Sequence, residues 1–133
     1  MTSSVLGIDP GTRKAGFAIL SESRSAALER GIEPIANLLD RVRPLLGRYG
    51  VRAIALGRGT HASAISALLT PLGLPVILID ETGTTLEARA EYFRDHPPRG
   101  WRRLIPLGLQ VPPRPIDDYA ASLIARRYLE RQG

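Results

Sequence analysis

A chain of 133 residues holds one domain with a real core and is too short for two. Its 44% apolar content, its lack of any run near the roughly 18–20 apolar residues of a membrane span, and its lack of a basic-then-apolar leader predict a soluble, cytoplasmic globule. The absence of cysteine excludes disulfides, thiolate catalysis and Cys-based zinc sites.

The net charge of +5 is carried almost wholly by arginine, Lys14 being the only lysine. Arginine's planar fork suits phosphate and points to a nucleic-acid partner. The same bias also arises from genome composition, so charge alone decides nothing.

In chain order, Val5–Ile8 predicts a short buried strand that ends on a carboxylate, Asp9, followed at once by Pro10-Gly11. Gly16–Leu20 predicts a second strand and Ala26–Ile32 a third, with Ser21–Ser25 as the turn, which together make an antiparallel meander. Glu33-Pro34 opens a helix with Ile35, Leu38, Leu39, Val42, Leu45 and Leu46 at helical spacing. Pro34 suits its first turn, and Pro44 is expected to kink or shorten it.

From Val51 the pattern alternates: strand "VRAIALG", helix Ala62–Leu72, strand "LPVILID", helix Thr84–Phe93. That alternation implies parallel strands with right-handed crossovers. Asp95–Pro115 then holds six of the 11 prolines with Arg99, Arg102, Arg103, Arg114 and the only Trp, and reads as a basic, Pro-rich loop. The last helix starts near Pro115 in "PIDDYAASLIARRYLERQ".

Three meander strands followed by alternating helices and strands predict a single α/β domain of RNase H-like type over residues 1–133, with a mixed five-stranded sheet in the order 3-2-1-4-5. A flavodoxin-like domain needs a helix between the first two strands, where only Asp9–Ala15 lie.

Carboxylates fall in three places where such a sheet gathers chemistry: Asp9, Asp80-Glu81 and Asp117-Asp118. Singly, each has a bland reading. Asp9 shapes a turn, Asp80 accepts amides of residues 82–84, and Asp117 or Asp118 suits a helix N-terminus. Together they are worth more, because strand five lies two strands from strand one, about 9–10 Å away. Acids reaching inward from both ends suit a pair of divalent ions, and an all-oxygen donor set favours Mg²⁺ or Mn²⁺. On a helical wheel Asp117 flanks the apolar face at about 70° and Asp118 points outward at about 170°, as a solvated cap. Asp117 is therefore the preferred ligand, with Asp118 and Asp80 behind it. His61 and His96 are too far apart in sequence to be paired as ligands or bases.

The blocks "GIDPGTRKAGFAIL", "LPVILIDETGTTLEA" and "IDDYAASLIARRYL" resemble the three signature blocks of the YqgF/RuvX family, in matching order over essentially the whole chain. That family comprises RuvC-like Holliday junction resolvases and nucleases of pre-16S ribosomal RNA. The resemblance implies a divalent-metal-dependent nuclease with catalytic, metal-binding acids at Asp9, Glu81 and Asp117. Branched DNA is the first substrate it suggests and precursor RNA the alternative. A fold-retaining binding protein without the chemistry is a further one. It also implies a homodimer on a junction and no membrane partner.

Thr12, Arg13 and Lys14 are expected to meet phosphate. The second block carries Thr82 and Gly83 where the family has Arg and Leu, and Arg58 is a candidate for the missing charge. Arg99, Trp101, Arg102 and Arg103 complete the expected nucleic-acid contacts, with Trp101 either stacking on an unpaired base or anchoring its loop. The first block also opens sugar-kinase and actin-like ATPases, but those need two such lobes and a far longer chain.

Overall fold

A computed structural model describes residues 3–23, 27–106 and 109–132. The meander is there as β1 (Ser4–Asp9), β2 (Lys14–Ser21) and β3 (Ala27–Pro34), and the residues expected to turn between the last two lie partly outside the described segment. Next come α1 (Ile35–Tyr49), β4 (Val51–Gly57), α2 (Ala62–Leu69), β5 (Val76–Ile79), α3 (Thr84–Asp95) and α4 (Asp117–Gln132). The sheet order is β3-β2-β1-β4-β5, antiparallel within the meander and parallel from β1 to β4 to β5.

Strand periodicity sorts the side chains between two cores. Leu6, Ile8, Phe17, Ile19, Ile54 and Leu56 face Leu38, Val42 and Leu45 of α1 and Ile65 and Leu69 of α2. Val5, Leu20, Ala53, Ala55 and Ile79 face Ile124, Ala125, Tyr128 and Leu129 of α4. Asp9 shares parity with Val5 and Gly7, so the same alternation that buries Val5 aims Asp9 at the α4 face. Ala88, Tyr92 and Phe93 of α3 close over Tyr119 and Leu123 of α4.

Three expectations about element limits change. Helix α1 runs unbroken through Pro44 to a left-handed Gly50 (φ 62°), because the proline sits on an exposed position where its missing donor and its ring cost least. Pro34 ends β3 rather than entering the helix, since β2–β3 pairing continues to Lys14 opposite Pro34. Helix α2 tightens into a 3-10 turn over Thr70–Leu72 before Gly73, and the basic loop holds another such turn at Gly100–Leu104.

Helix α4 lies directly on two glycines. A Cβ on Gly7 would stand 2.1 Å from the Ala121 carbonyl oxygen, and one on Gly16 would stand 2.1 Å from that of Asp117. Gly16→Ala is therefore expected to lift the N-terminus of α4, costing about 2 kcal/mol or more through overpacking. Gly47 inside α1 meets nothing within 4 Å. Gly47→Ala is expected to stabilise by roughly 0.5–1 kcal/mol through helix propensity. Urea titration of both variants checks the pair; a neutral Gly16→Ala would mean that the helix is not seated on the sheet.

Candidate active site

The three preferred acids come from three elements and meet at one edge of the sheet. Asp9 is the last residue of β1 and pairs with Gly16, on which the Asp117 backbone rests. Glu81 follows β5 and reaches back over the end of β4: its Oε2 lies 2.8 Å and its Oε1 3.1 Å from where Cβ atoms of Gly57 and Gly59 would be. Pro10 touches the same two positions, at 3.2 and 3.6 Å, so the Glu81 carboxylate is seated beside the turn that leaves Asp9. Two glycines at the end of β4 thus make room for an acid delivered from β5.

Local chemistry fixes Glu81. Its carbonyl accepts the Thr84 amide at 3.0 Å and the Thr84 hydroxyl at 2.8 Å. Gly83 (φ 82°) makes the turn into α3, which accounts for glycine where the family pattern has leucine.

The electrostatics follow from the crowding. Burial, then the neighbouring Asp117 and Glu81 carboxylates, push the Asp9 carboxyl up to about 7 from an ordinary 3.8. Burial, then Asp118, raise Asp117 as well, while Lys14 opposes the rise. Among the described residues, none of Asp9, Glu81 or Asp117 forms a salt bridge. Among the described residues, no group of three His, Asp or Glu side chains stands ready-made to hold a metal ion. The donors gathered around the half-buried Asp9 are all oxygen, with Lys14 the one cation among the described residues that acts on them, and oxygen donors are the kind a hard divalent cation takes.

Asp80 stands apart from the cluster. It is exposed, and its Oδ1 accepts the Thr82 amide at 2.9 Å and the Thr82 hydroxyl at 2.7 Å, bonds that hold it below the usual carboxylate range.

The outward-facing, solvated Asp118 expected from the wheel needs correction. Asp118 is only 7% exposed and takes both guanidinium arms of Arg114, at 3.2 and 3.3 Å. A wheel describes one helix alone, and here the segment leading into α4 folds back across its first turn. Arg114 in turn lies over the rings of Tyr92 and Tyr119, at 5.4 and 5.6 Å.

Thr12, Arg13 and Lys14 are exposed in and after the β1–β2 turn, beside the acids. The Thr12 hydroxyl lies 3.2 Å from Nε2 of His61, a cross-link between the turns after β1 and β4 that spacing in the sequence does not reveal. Arg58 is exposed and lines a cleft with Ile79, Asp80 and Arg127, so its charge bears on Asp80. Arg99, Trp101, Arg102 and Arg103 are exposed on the separate loop between α3 and α4. Within the loop, Arg103 donates to the Gly100 carbonyl and Gln110 to those of Arg102 and Ile105, while Arg114 ties it to Asp118 of α4.

No protein-family model matches the chain. Curated proteins of Coxiella burnetii strains RSA 493 and RSA 331, named "Putative pre-16S rRNA nuclease", are 35% identical over an alignment of 143 positions, covering 96% of this chain and 92% of theirs. Against proteins of the same name from strains Dugway 5J108-111 and CbuG_Q212 the match spans 49% of this chain and 38% of theirs. Among solved structures, T. thermophilus RuvC in complex with a Holliday junction substrate superimposes with a TM-score of 0.57 at 21% identity, covering 98% of this chain and 96% of that one. The large terminase nuclease of thermophilic phage G20c gives a TM-score of 0.56 at 18% identity, over 96% and 81% of the two chains. These structural likenesses establish the RuvC-like fold.

Proposed function

This chain belongs to the YqgF/RuvX family of those curated relatives, and on that premise we propose that it is a divalent-metal-dependent nuclease acting on precursor ribosomal RNA. The observation that carries the reading is the gathering of Asp117 and Glu81, from α4 and the end of β5, around the partly buried Asp9 at the end of β1.

Asp9, Glu81 and Asp117 would hold Mg²⁺ or Mn²⁺ there, and the ions would supply Lewis-acid activation of water and charge neutralisation at the phosphodiester. The chain's own groups handle the rest. The exposed Thr12 hydroxyl donates to a non-bridging phosphate oxygen, and His61 fixes the direction of that hydroxyl. Lys14, close enough to Asp117 to counter its rise, neutralises the same phosphate from the rim of the cleft. Arg13 adds charge from the adjoining exposed position, and Arg58 does so from the β5 side.

Branched DNA is the second reading, favoured by the fold shared with a resolvase solved on its junction. Cutting a symmetric junction needs two active sites related by a two-fold axis and hence a dimer on DNA, whereas trimming RNA needs only one.

The test is a side-by-side cleavage assay on precursor RNA and on a four-way junction, with Mg²⁺, with Mn²⁺ and with chelator. Metal-dependent cutting of the RNA is expected. Cutting of the junction alone would transfer the function to DNA, and no cutting of either would favour a binding protein that kept the fold.

A further inference from the structure

The loop between α3 and α4 has a composition that the acidic cleft does not use. From His96 to Ile116 there is no Asp or Glu, and there are four arginines. Gly100 (φ 63°) starts the 3-10 turn Gly100–Leu104. Gln110, itself only 7% exposed, donates from Nε2 to the carbonyls of Arg102 at 2.8 Å and Ile105 at 2.9 Å. The turn is thus clamped from below by a buried side chain.

What the clamp displays is apolar. Trp101 is 70% exposed, Leu104 86%, Leu109 76% and Val111 72%. Trp101 therefore does not anchor its loop. A cavity of about 260 Å³ opens beside two of them, Leu109 and Val111, and is bounded further by Arg102, Ile105 and Gln110. Four large apolar side chains left in solvent on one loop, beside a built support, mark a surface that something covers.

The occupant must offer flat apolar faces and negative charge together. Duplex bases hide their faces in the stack, whereas unpaired nucleotides present both a face and a phosphate. Self-association through this surface would bring Arg99, Arg102 and Arg103 of each copy together with no acid on the loop to offset them.

We propose that the turn Gly100–Leu104 is a single-strand-binding platform on which a base stacks against Trp101 while Arg99, Arg102 and Arg103 hold the flanking phosphates. The Arg102 guanidinium, 6.0 Å from the Trp101 ring, borders the position such a base would take. The inference rests on the nuclease reading and narrows its substrate to nucleic acid with an unpaired stretch near the cut.

Trp101 is the chain's only tryptophan, so its fluorescence reports on this site alone. In chelator, single-stranded oligouridine and oligothymidine are expected to quench it, and a blunt duplex at equal nucleotide concentration is not. Trp101→Ala is expected to weaken single-strand affinity about tenfold or more, read by anisotropy of a labelled oligomer, with Trp101→Phe retaining most of it.

Equal quenching by the duplex, or unchanged affinity in Trp101→Ala, overturns the proposal. So does a concentration-dependent blue shift without nucleic acid that accompanies dimerisation in sedimentation, because a second copy then covers the patch. Quenching with no cleavage of any substrate sinks the nuclease reading and leaves the platform standing. Cleavage with wild-type binding by Trp101→Ala does the reverse.

Discussion

Asp9→Asn is expected to slow cleavage by about two to four orders of magnitude and, in the same molecule, to stabilise the metal-free protein above neutral pH. The two effects have one origin. Asp9 has a carboxyl pushed up to about 7 in the folded protein, against 3.8 when unperturbed. Between those values the folded state holds a proton that the unfolded state has released. The stability tied to that proton is complete below about 3.8 and drains away as pH rises through 7. By pH 8 the wild type must keep a half-buried carboxylate ionised beside Asp117 and Glu81, at a cost of roughly 2–4 kcal/mol. Asparagine has no charge to lose, so the variant should show a flatter stability profile and exceed the wild type at pH 8.

Urea titrations at pH 5 and pH 8 in chelator check this. Parallel profiles for the two proteins would mean that the acids are compensated by something else. Added Mg²⁺ or Mn²⁺ should stabilise the wild type at pH 8 and affect the variant far less, since a ligand stabilises only the state it binds. The loss of a metal ligand should slow cleavage by about 10²–10⁴, or roughly 3–5 kcal/mol of barrier. A site that gains stability when its acid is removed is one arranged for its ligand rather than for its own folding.

Much of this was legible in the sequence, and the parts that were share a cause. The buried strands, the sheet order and the aim of Asp9 follow from periodicity within single elements, which the dense apolar runs of β1, β2 and β4 make plain. The wheel that set Asp118 outward failed, because α4 is buried on every side from Asp118 to Ala125 and not along one apolar face alone.

What escaped depends on pairs remote in the chain. The room that Gly57 and Gly59 make for Glu81, and the bond from His61 to Thr12, join segments whose spacing carries no signal. The limit of α1 escaped for another reason: propensity charges Pro44 a helix-breaking penalty, but it sits on the exposed side of a helix whose opposite face is fixed by Leu38, Val42 and Leu45.

The neighbours Asp117 and Asp118 should separate function from stability. Asp118 is buried and engaged with both arms of Arg114, which also donates to the Pro115 carbonyl and lies over the Tyr92 and Tyr119 rings, so it ties the incoming loop to the first turn of α4. Asp118→Asn leaves that guanidinium without its counter-charge. The Arg114 side chain is 42% exposed, and water therefore softens the loss to about 1–3 kcal/mol. Arg114→Ala should cost a similar amount, and the double variant should cost much less than the sum, because both changes break one contact. Asp117 has no such partner, and its carboxyl is raised by burial and by the adjacent Asp118. Asp117→Asn should accordingly leave the urea midpoint unchanged or higher while removing metal-dependent cleavage. Asp118→Asn, assayed below its unfolding transition, should keep most of its cutting rate. If instead Asp118→Asn is as stable as wild type and inactive, the Arg114 contact is incidental and Asp118 reaches the metals itself.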